Sequence, residues 1–142
     1  ITFAGIGSDE RFLKDEFSGI NRVNFITYDS KDSLKIHAAY HIAVIPTIGS
    51  EGTSLSLLEA MASKCAVVAT NVGGMTNIIL DNYNGLLVNP EEKELYTAID
   101  KLIKNKEFRE VISDNAYNTV SQAFNKELWE RRWINVLEEV SK

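Results

Sequence analysis

Five short runs of apolar and β-branched residues, Ile1–Gly5, Val23–Thr27, Ile42–Pro46, Ala66–Thr70 and Gly85–Val88, alternate with amphipathic stretches of helical period. That order marks βαβ units. Parallel strands are joined by crossovers that cover both faces of the sheet, so they read as unbroken apolar runs, as in Ile42-Ala43-Val44-Ile45 and Ala66-Val67-Val68-Ala69. The expected fold class is therefore α/β, a Rossmann-like doubly wound parallel sheet ending in several helices. No repeat, low-complexity tract or linker divides residues 1–142, which read as one domain. A chain of this length buries about 68–70% of the surface it exposes when unfolded, enough for one core without staples.

The first helix is expected to follow Ser8, whose hydroxyl can cap orphan amides while Asp9 and Glu10 suit the positive end of the dipole, and to stop at Gly19. Phe12, Leu13 and Phe17 form its predicted core face. After Val88 three helices follow in succession. Asn89-Pro90-Glu91-Glu92 reads as a start signal, with an Asn cap, Pro at the first helical position and Glu at the third. Leu95, Ile99, Leu102 and Ile103 supply the buried stripe of that helix. The second runs from about Lys106 to Phe124 with Phe108, Val111, Ile112, Ala116 and Val120 on one side, and the third from Lys126 to Val140. In the third, Trp129, Trp133, Val136, Leu137 and Val140 recur at three and four residues, so the stripe must lie against something apolar. The choices are the core of this chain or a partner domain outside it.

Fifteen basic against twenty acidic residues give a net charge of −5, which argues against a nucleic-acid partner but leaves room for a small anion pocket. The single cysteine, Cys65, forms no internal bridge and points to the cytoplasm. No apolar run approaches the roughly 20 residues needed to span a bilayer. The chain opens directly on a strand-like run without methionine, and reads as a fragment of something longer.

In an open parallel sheet, ligands bind beyond the carboxyl ends of the strands, which directs attention to the loops after them. The loop Pro46-Thr47-Ile48-Gly49-Ser50-Glu51-Gly52-Thr53-Ser54 leads into the helical run Leu55-Ser56-Leu57-Leu58-Glu59-Ala60-Met61-Ala62. Glycine and small hydroxyl residues ahead of a helix let backbone amides approach an anion, which the helix dipole favours. Glu59 lies inside that helix among apolar neighbours, and its side chain leans back toward the helix start. A carboxylate there accepts two hydrogen bonds side by side, which suits the vicinal diol of a ribose. The plainer reading is a solvated or salt-bridged helix glutamate. Glu51 either complements the helix dipole or faces the non-nucleotide end of the ligand, where it can accept hydrogen bonds from sugar hydroxyls or steady positive charge at an anomeric carbon.

These residues resemble the retaining glycosyltransferases of the two-Rossmann (GT-B) type, in particular glycosyltransferase family 4 (group 1). The family pattern is Glu, seven residues, Glu, then a strand and a Gly-Gly turn. In this chain it reads from Glu51 to Glu59, then Val67-Val68-Ala69-Thr70-Asn71-Val72-Gly73-Gly74, then Asn84-Gly85-Leu86-Leu87-Val88. The likeness runs from the Gly5-Ile6-Gly7 turn to the last, tryptophan-bearing helix. It implies a C-terminal domain that binds a nucleoside-diphosphate sugar, with Glu59 on the ribose, amides around Gly52, Thr53, Ser54 and Leu55 on the diphosphate and sugar, Glu51 as the catalytic residue at the transferred hexose, and Gly5 and Gly7 near the nucleotide. It also implies no bound metal or other cofactor, the nucleotide sugar being the donor substrate.

By the same resemblance the acceptor, a glycan or lipid-linked sugar, is held by an N-terminal domain outside this chain. The family's Arg and Lys that neutralise the diphosphate also lie upstream, so the fragment alone is expected to be inactive. The full-length enzyme would be cytoplasmic, with room for peripheral association at the inner face of the membrane. Ser54, Lys64, Ala66, Asn77 and Thr27 depart from the usual pattern, the last two at sugar and base contacts.

Other signals are weaker. Gly5-Ile6-Gly7 with Glu10 is an incomplete dinucleotide fingerprint. His37 and His41 lack the further ligands a zinc site needs, Cys65 reads as a small buried hydrophobe, and Ser50, Ser54 and Ser56 lack a nucleophile elbow. The competing functions are a GT-B nucleotide-sugar epimerase, which the Glu51–Glu59 spacing disfavours, and a non-catalytic nucleotide-binding or regulatory α/β module.

Overall fold

A computed structural model describes residues 1–141. The chain runs β1 (Thr2–Ala4), α1 (Glu10–Phe17), β2 (Asn24–Ile26), a 3-10 turn at Ser30–Asp32, α2 (Ser33–His37), β3 (Ile42–Ile45), α3 (Leu55–Ala62), β4 (Ala66–Thr70), a second 3-10 turn at Gly73–Asn77, β5 (Leu86–Val88), α4 (Glu92–Lys104), α5 (Lys106–Ala123) and α6 (Lys126–Val140). All five strands expected from the apolar runs are present, and every pairing is parallel. This is a Rossmann-like α/β fold followed by helices.

The ladder is interrupted where one continuous sheet was expected. β1 pairs with β2, Phe3 opposite Phe25, while β3, β4 and β5 form a second sheet with Val44 opposite Val68 and Val68 opposite Leu86. The three-residue strands β1 and β2 find their packing locally, for Phe3 stacks on both Phe17 of α1 and Phe25 at 5.8 and 5.2 Å between ring centres. Tyr40 Oη reaches across and donates to Thr2 Oγ1 at 2.9 Å.

The core lies on the two faces of β4, which is buried along its whole length. Val67 and Ala69 join Leu57, Ala60 and Met61 of α3, Met75, Ile79, and Ala116 and Val120 of α5. Ala66 and Val68 turn the other way, toward Leu86, Ala98, Leu102 and Ile112. Strand alternation thus feeds two cores from one apolar run.

Several helix expectations are corrected. α1 starts at Glu10 with Asp9 before it, and the Ser8 hydroxyl donates to the Asp9 carboxylate rather than capping an amide. Phe12 is 65% exposed, because the face of α1 toward β1 is carried by Leu13 and Phe17. α4 begins at Glu92, two residues after Pro90, and Asn89 does not cap it. Its amide and Nδ2 instead donate to the two carboxylate oxygens of Glu94, at 2.8 and 3.0 Å. Those bonds, the side-chain one foremost, hold the Glu94 carboxyl below its ordinary value. Ile103 and Val111 are exposed, since α4 and α5 bury Ala98, Leu102, Ile112 and Ala116 between them and the sheet.

α5 and α6 start where the sequence places them, behind the Asn105 and Asn125 caps. α6 has no buried residue: Trp129 and Trp133 are 60% and 51% exposed and lean on each other, with ring centres 6.0 Å apart. The core-packing alternative for that stripe is therefore wrong within the described residues. Among them, no helix is long and apolar enough to cross a membrane.

Candidate functional site at the carboxyl ends of the strands

The loop after β3 is held from below by β4. Thr70, fully buried at the end of β4, donates from Oγ1 to the carbonyl of Thr47 at 2.5 Å. A buried hydroxyl satisfied in this way fixes the loop's departure from the sheet. Ser54 then caps α3: it is buried, in extended backbone, and its Oγ accepts from the Leu57 amide at 3.4 Å. As at any helix start, first-turn amides remain over, here those of Leu55 and Ser56 among the described residues. Of the amides expected from sequence to face an anion, those of Gly52, Thr53, Ser54 and Leu55, the Leu55 amide is among these free ones, at the positive end of the α3 dipole.

Glu51 sits half-buried three residues before that cap. Its backbone rests on the turn after β4, where the Gly74 amide donates to the Glu51 carbonyl at 2.9 Å. The approach is so close that a Cβ on Gly73 would overlap the Glu51 carbonyl oxygen, and one on Gly74 the carbonyl oxygen of Gly52. Gly73 also adopts a φ of +54, in the left-handed region. The glycine pair is thus the seat of the acidic loop. Sequence reading recognised it as a pattern and missed the contact.

Glu59, the fifth residue of α3, is half-buried, and among the described residues nothing hydrogen-bonds to its carboxylate. It faces two rings. Tyr28, just past β2, has its hydroxyl pKa raised, by burial first and by the Glu59 charge second. His37, at the end of α2, has its pKa lowered by burial, against the pull of Glu59. The two rings meet edge to face at 6.3 Å, and Nε2 of His37 is buried without a hydrogen-bond partner. Among the described residues Glu59 makes no ion pair, and it is partly open to solvent.

Gly52, Thr53 and Leu55 are exposed along the mouth of the α3 loop. Gly5 and Gly7 lie elsewhere, on a cavity of about 290 Å³ at the carboxyl ends of β1 and β2 that is also lined by Glu10, Lys14 and Thr27. None of residues 51–59 lines that cavity. The link is the corner Thr27–Tyr28, whose first residue borders the cavity and whose second feels the Glu59 charge. Tyr28 and His37 escaped sequence reading as site residues, because only the packing of α2 against α3 brings them to Glu59. Cys65 is buried as expected, donating weakly to the carbonyls of His37 and Tyr40, and burial pushes its thiol up to about 11. His41 is exposed, and no group of three or more His, Cys, Asp or Glu among the described residues is placed to hold a metal ion.

Comparison with known proteins places this arrangement. A glycosyltransferase of Methanocaldococcus jannaschii without assigned substrate is 32% identical over 125 residues, 85% of this chain and 32% of that protein. The sulfoquinovosyl transferase of Arabidopsis thaliana is 32% identical over 120 residues, 82% of this chain and 23% of its own length. This chain thus spans about a third or less of the length of these relatives.

Among solved structures, the C-terminal domain of a glycosyl transferase group 1 family protein from Francisella tularensis superposes with a TM-score of 0.72 at 33% identity, over 85% of this chain and 66% of that one. The Anabaena protein HepE, crystallised with UDP, shares the fold at a TM-score of 0.86 and 24% identity, over 97% of this chain and 40% of its own. The sheet and its following helices are those of GT-B glycosyltransferase C-terminal domains. With the model of the family "Glycosyl transferases group 1" matching residues 1–119, the chain belongs to that family.

Proposed function

We propose that this chain is the donor half of a retaining glycosyltransferase, which binds a nucleoside-diphosphate sugar for transfer of a hexose to a glycan or lipid-linked acceptor. The observation that carries the reading is the Glu59 carboxylate, half-buried beside Tyr28 at the end of β2, with no protein hydrogen-bond partner among the described residues. A carboxylate left without a protein partner is free to accept hydrogen bonds from a ligand, and a ribose diol is one of the right shape. The amides of Leu55 and Ser56 take diphosphate oxygens, and Glu51 accepts from the hydroxyls of the sugar. The similar fold of HepE with UDP or UDP-glucose bound supports a uridine or related donor.

Transfer on the same face as the departing diphosphate runs through an oxocarbenium-like state. The residues in hand stabilise it by placed charges and dipoles, with no cofactor beyond the donor itself. The rest of the polypeptide, which the relatives' lengths call for, supplies the acceptor site and the basic side chains at the diphosphate, so residues 1–142 alone bind donor weakly and transfer nothing. The apolar face of α6 docks against that remainder.

Isothermal titration of UDP, GDP and ADP, each with and without its hexose, against wild type and Glu59→Ala tests the reading. One nucleotide should bind and lose about tenfold or more in affinity on Glu59→Ala, the worth of hydrogen bonds to a charged group. Unchanged binding in the variant removes the ribose role.

A further inference from the structure

His37 carries a polar atom with nothing to do. Its Nε2 is buried and unpartnered, while the rest of the residue is well tied, its carbonyl accepting from the Tyr40 amide at 2.9 Å and the Cys65 thiol at 3.2 Å. A buried polar atom without a partner is costly, so such an atom at a candidate site points to a contact made in another state. The Tyr28 ring stands edge to face with the imidazole at 6.3 Å, Cys65, just before β4, holds the His37 main chain, and α2 packs against α3, the helix that carries Glu59, whose charge the imidazole feels. Tyr28 and Cys65 are both held neutral by burial, which leaves Glu59 as the charge that His37 feels. Burial likewise keeps the imidazole neutral, so one ring nitrogen carries a proton and the other a lone pair.

We propose that His37 is a positioning residue for Glu59: when nucleotide binds, Nε2–H of the neutral imidazole donates to one carboxylate oxygen of Glu59 and leaves the other to accept from the ribose 2′-hydroxyl. The edge of Tyr28 keeps the ring from turning away. This rests on the ribose reading of Glu59 and adds to it the group that sets the carboxylate's orientation. Tyr28 and His37 differ in kind from the glycine and amide contacts of the donor loop, for neither touches the nucleotide in this scheme.

The test is discrimination between a ribonucleotide and its 2′-deoxy counterpart, measured by titration on the full-length protein with whichever of UDP, GDP or ADP binds tightest. Wild type should prefer the ribonucleotide by about tenfold or more, as expected for a hydrogen bond to a charged acceptor. His37→Phe should bring that ratio close to one with the deoxynucleotide affinity unchanged. His37→Gln, whose amide nitrogen can take the place of Nε2, should restore most of it. A parallel loss of both nucleotides in His37→Phe marks a merely structural role and overturns the proposal. A full ratio in His37→Phe, together with a collapsed one in Glu59→Ala, overturns it while leaving the ribose reading intact. A full ratio in Glu59→Ala, or no binding by any of the three nucleotides, removes both.

Discussion

The amide of Gly74 donates to the carbonyl of Glu51 at 2.9 Å, which joins the loop after β3 to the turn after β4. Two loops that are separate in sequence are therefore tied backbone to backbone, and the acidic residue at their junction is held there by its main chain. Ser54 and Thr70 brace the same loop at its far end and its root. The site is built on a rigid edge.

Gly73→Ala tests that junction. The new Cβ overlaps the Glu51 carbonyl, and the left-handed φ strains any L side chain. Strain and displacement together should cost about 2–3 kcal/mol of stability, seen as a lower urea midpoint. On the proposed role of Glu51 at the transferred sugar, a shift of roughly 1 Å there costs about a hundredfold in rate, and donor turnover by the full-length protein should fall by that order. A variant with wild-type midpoint and turnover would show that the two loops are not coupled.

Much of this was legible beforehand because burial on both faces leaves a plain mark, as in the unbroken Ala66-Val67-Val68-Ala69 of β4. The spacing of Glu51 and Glu59 was readable as a family pattern, and the structure puts the first in the loop before α3 and the second within that helix. The start of α4 was not, since Glu94 competes for Asn89 and takes both of its donors, a choice between two local hydrogen-bond schemes that the residues alone leave open. Tyr28 and His37 were invisible for a different reason. Their meeting with Glu59 depends on three segments folding together, and no local pattern encodes it.

Asn84 is the polar pin of the core. It is fully buried, its Oδ1 accepts from the Leu80 amide at 2.8 Å, and its Nδ2 donates to the Ile78 carbonyl and Thr119 Oγ1, each at 3.1 Å. Asn84→Ala leaves a buried amide and a buried carbonyl unpaired and should cost about 2–4 kcal/mol. Thr119→Val removes one of the three bonds and should cost about 1 kcal/mol. Urea unfolding of both variants checks the ranking, and equal costs would contradict it.

Cys65 makes stability depend on alkaline pH. Its folded pKa, pushed by burial from 9.0 to about 11, lies above the unfolded value, so the folded state holds the proton longer. The unfolded chain binds fewer protons between those values, and stability must fall as pH rises through them. The loss should approach ~2–3 kcal/mol by pH 11 and be absent below pH 9. Unfolding midpoints at pH 8 and 10.5 should differ more in wild type than in Cys65→Ala. Equal differences would mean that the thiol ionises freely in the native state.

The apolar face of α6 gives the last expectation. Trp129, Trp133, Leu137 and Val140 are all exposed within residues 1–141, and neighbours that match 97% of this chain, HepE among them, are more than twice its length. An apolar stripe of this size on a helix needs cover, which the proposed reading assigns to the rest of a longer polypeptide. In the full-length protein Trp133→Lys should therefore bury a charge against apolar surface and cost about 2–3 kcal/mol, whereas a solvated position tolerates the change within about 0.5 kcal/mol. Lys on the opposite face, at the exposed Glu138, is the control and should be near neutral in stability. If Trp133→Lys and Glu138→Lys unfold at the same urea concentration, the stripe faces water in the whole protein and α6 does not dock on the rest of it.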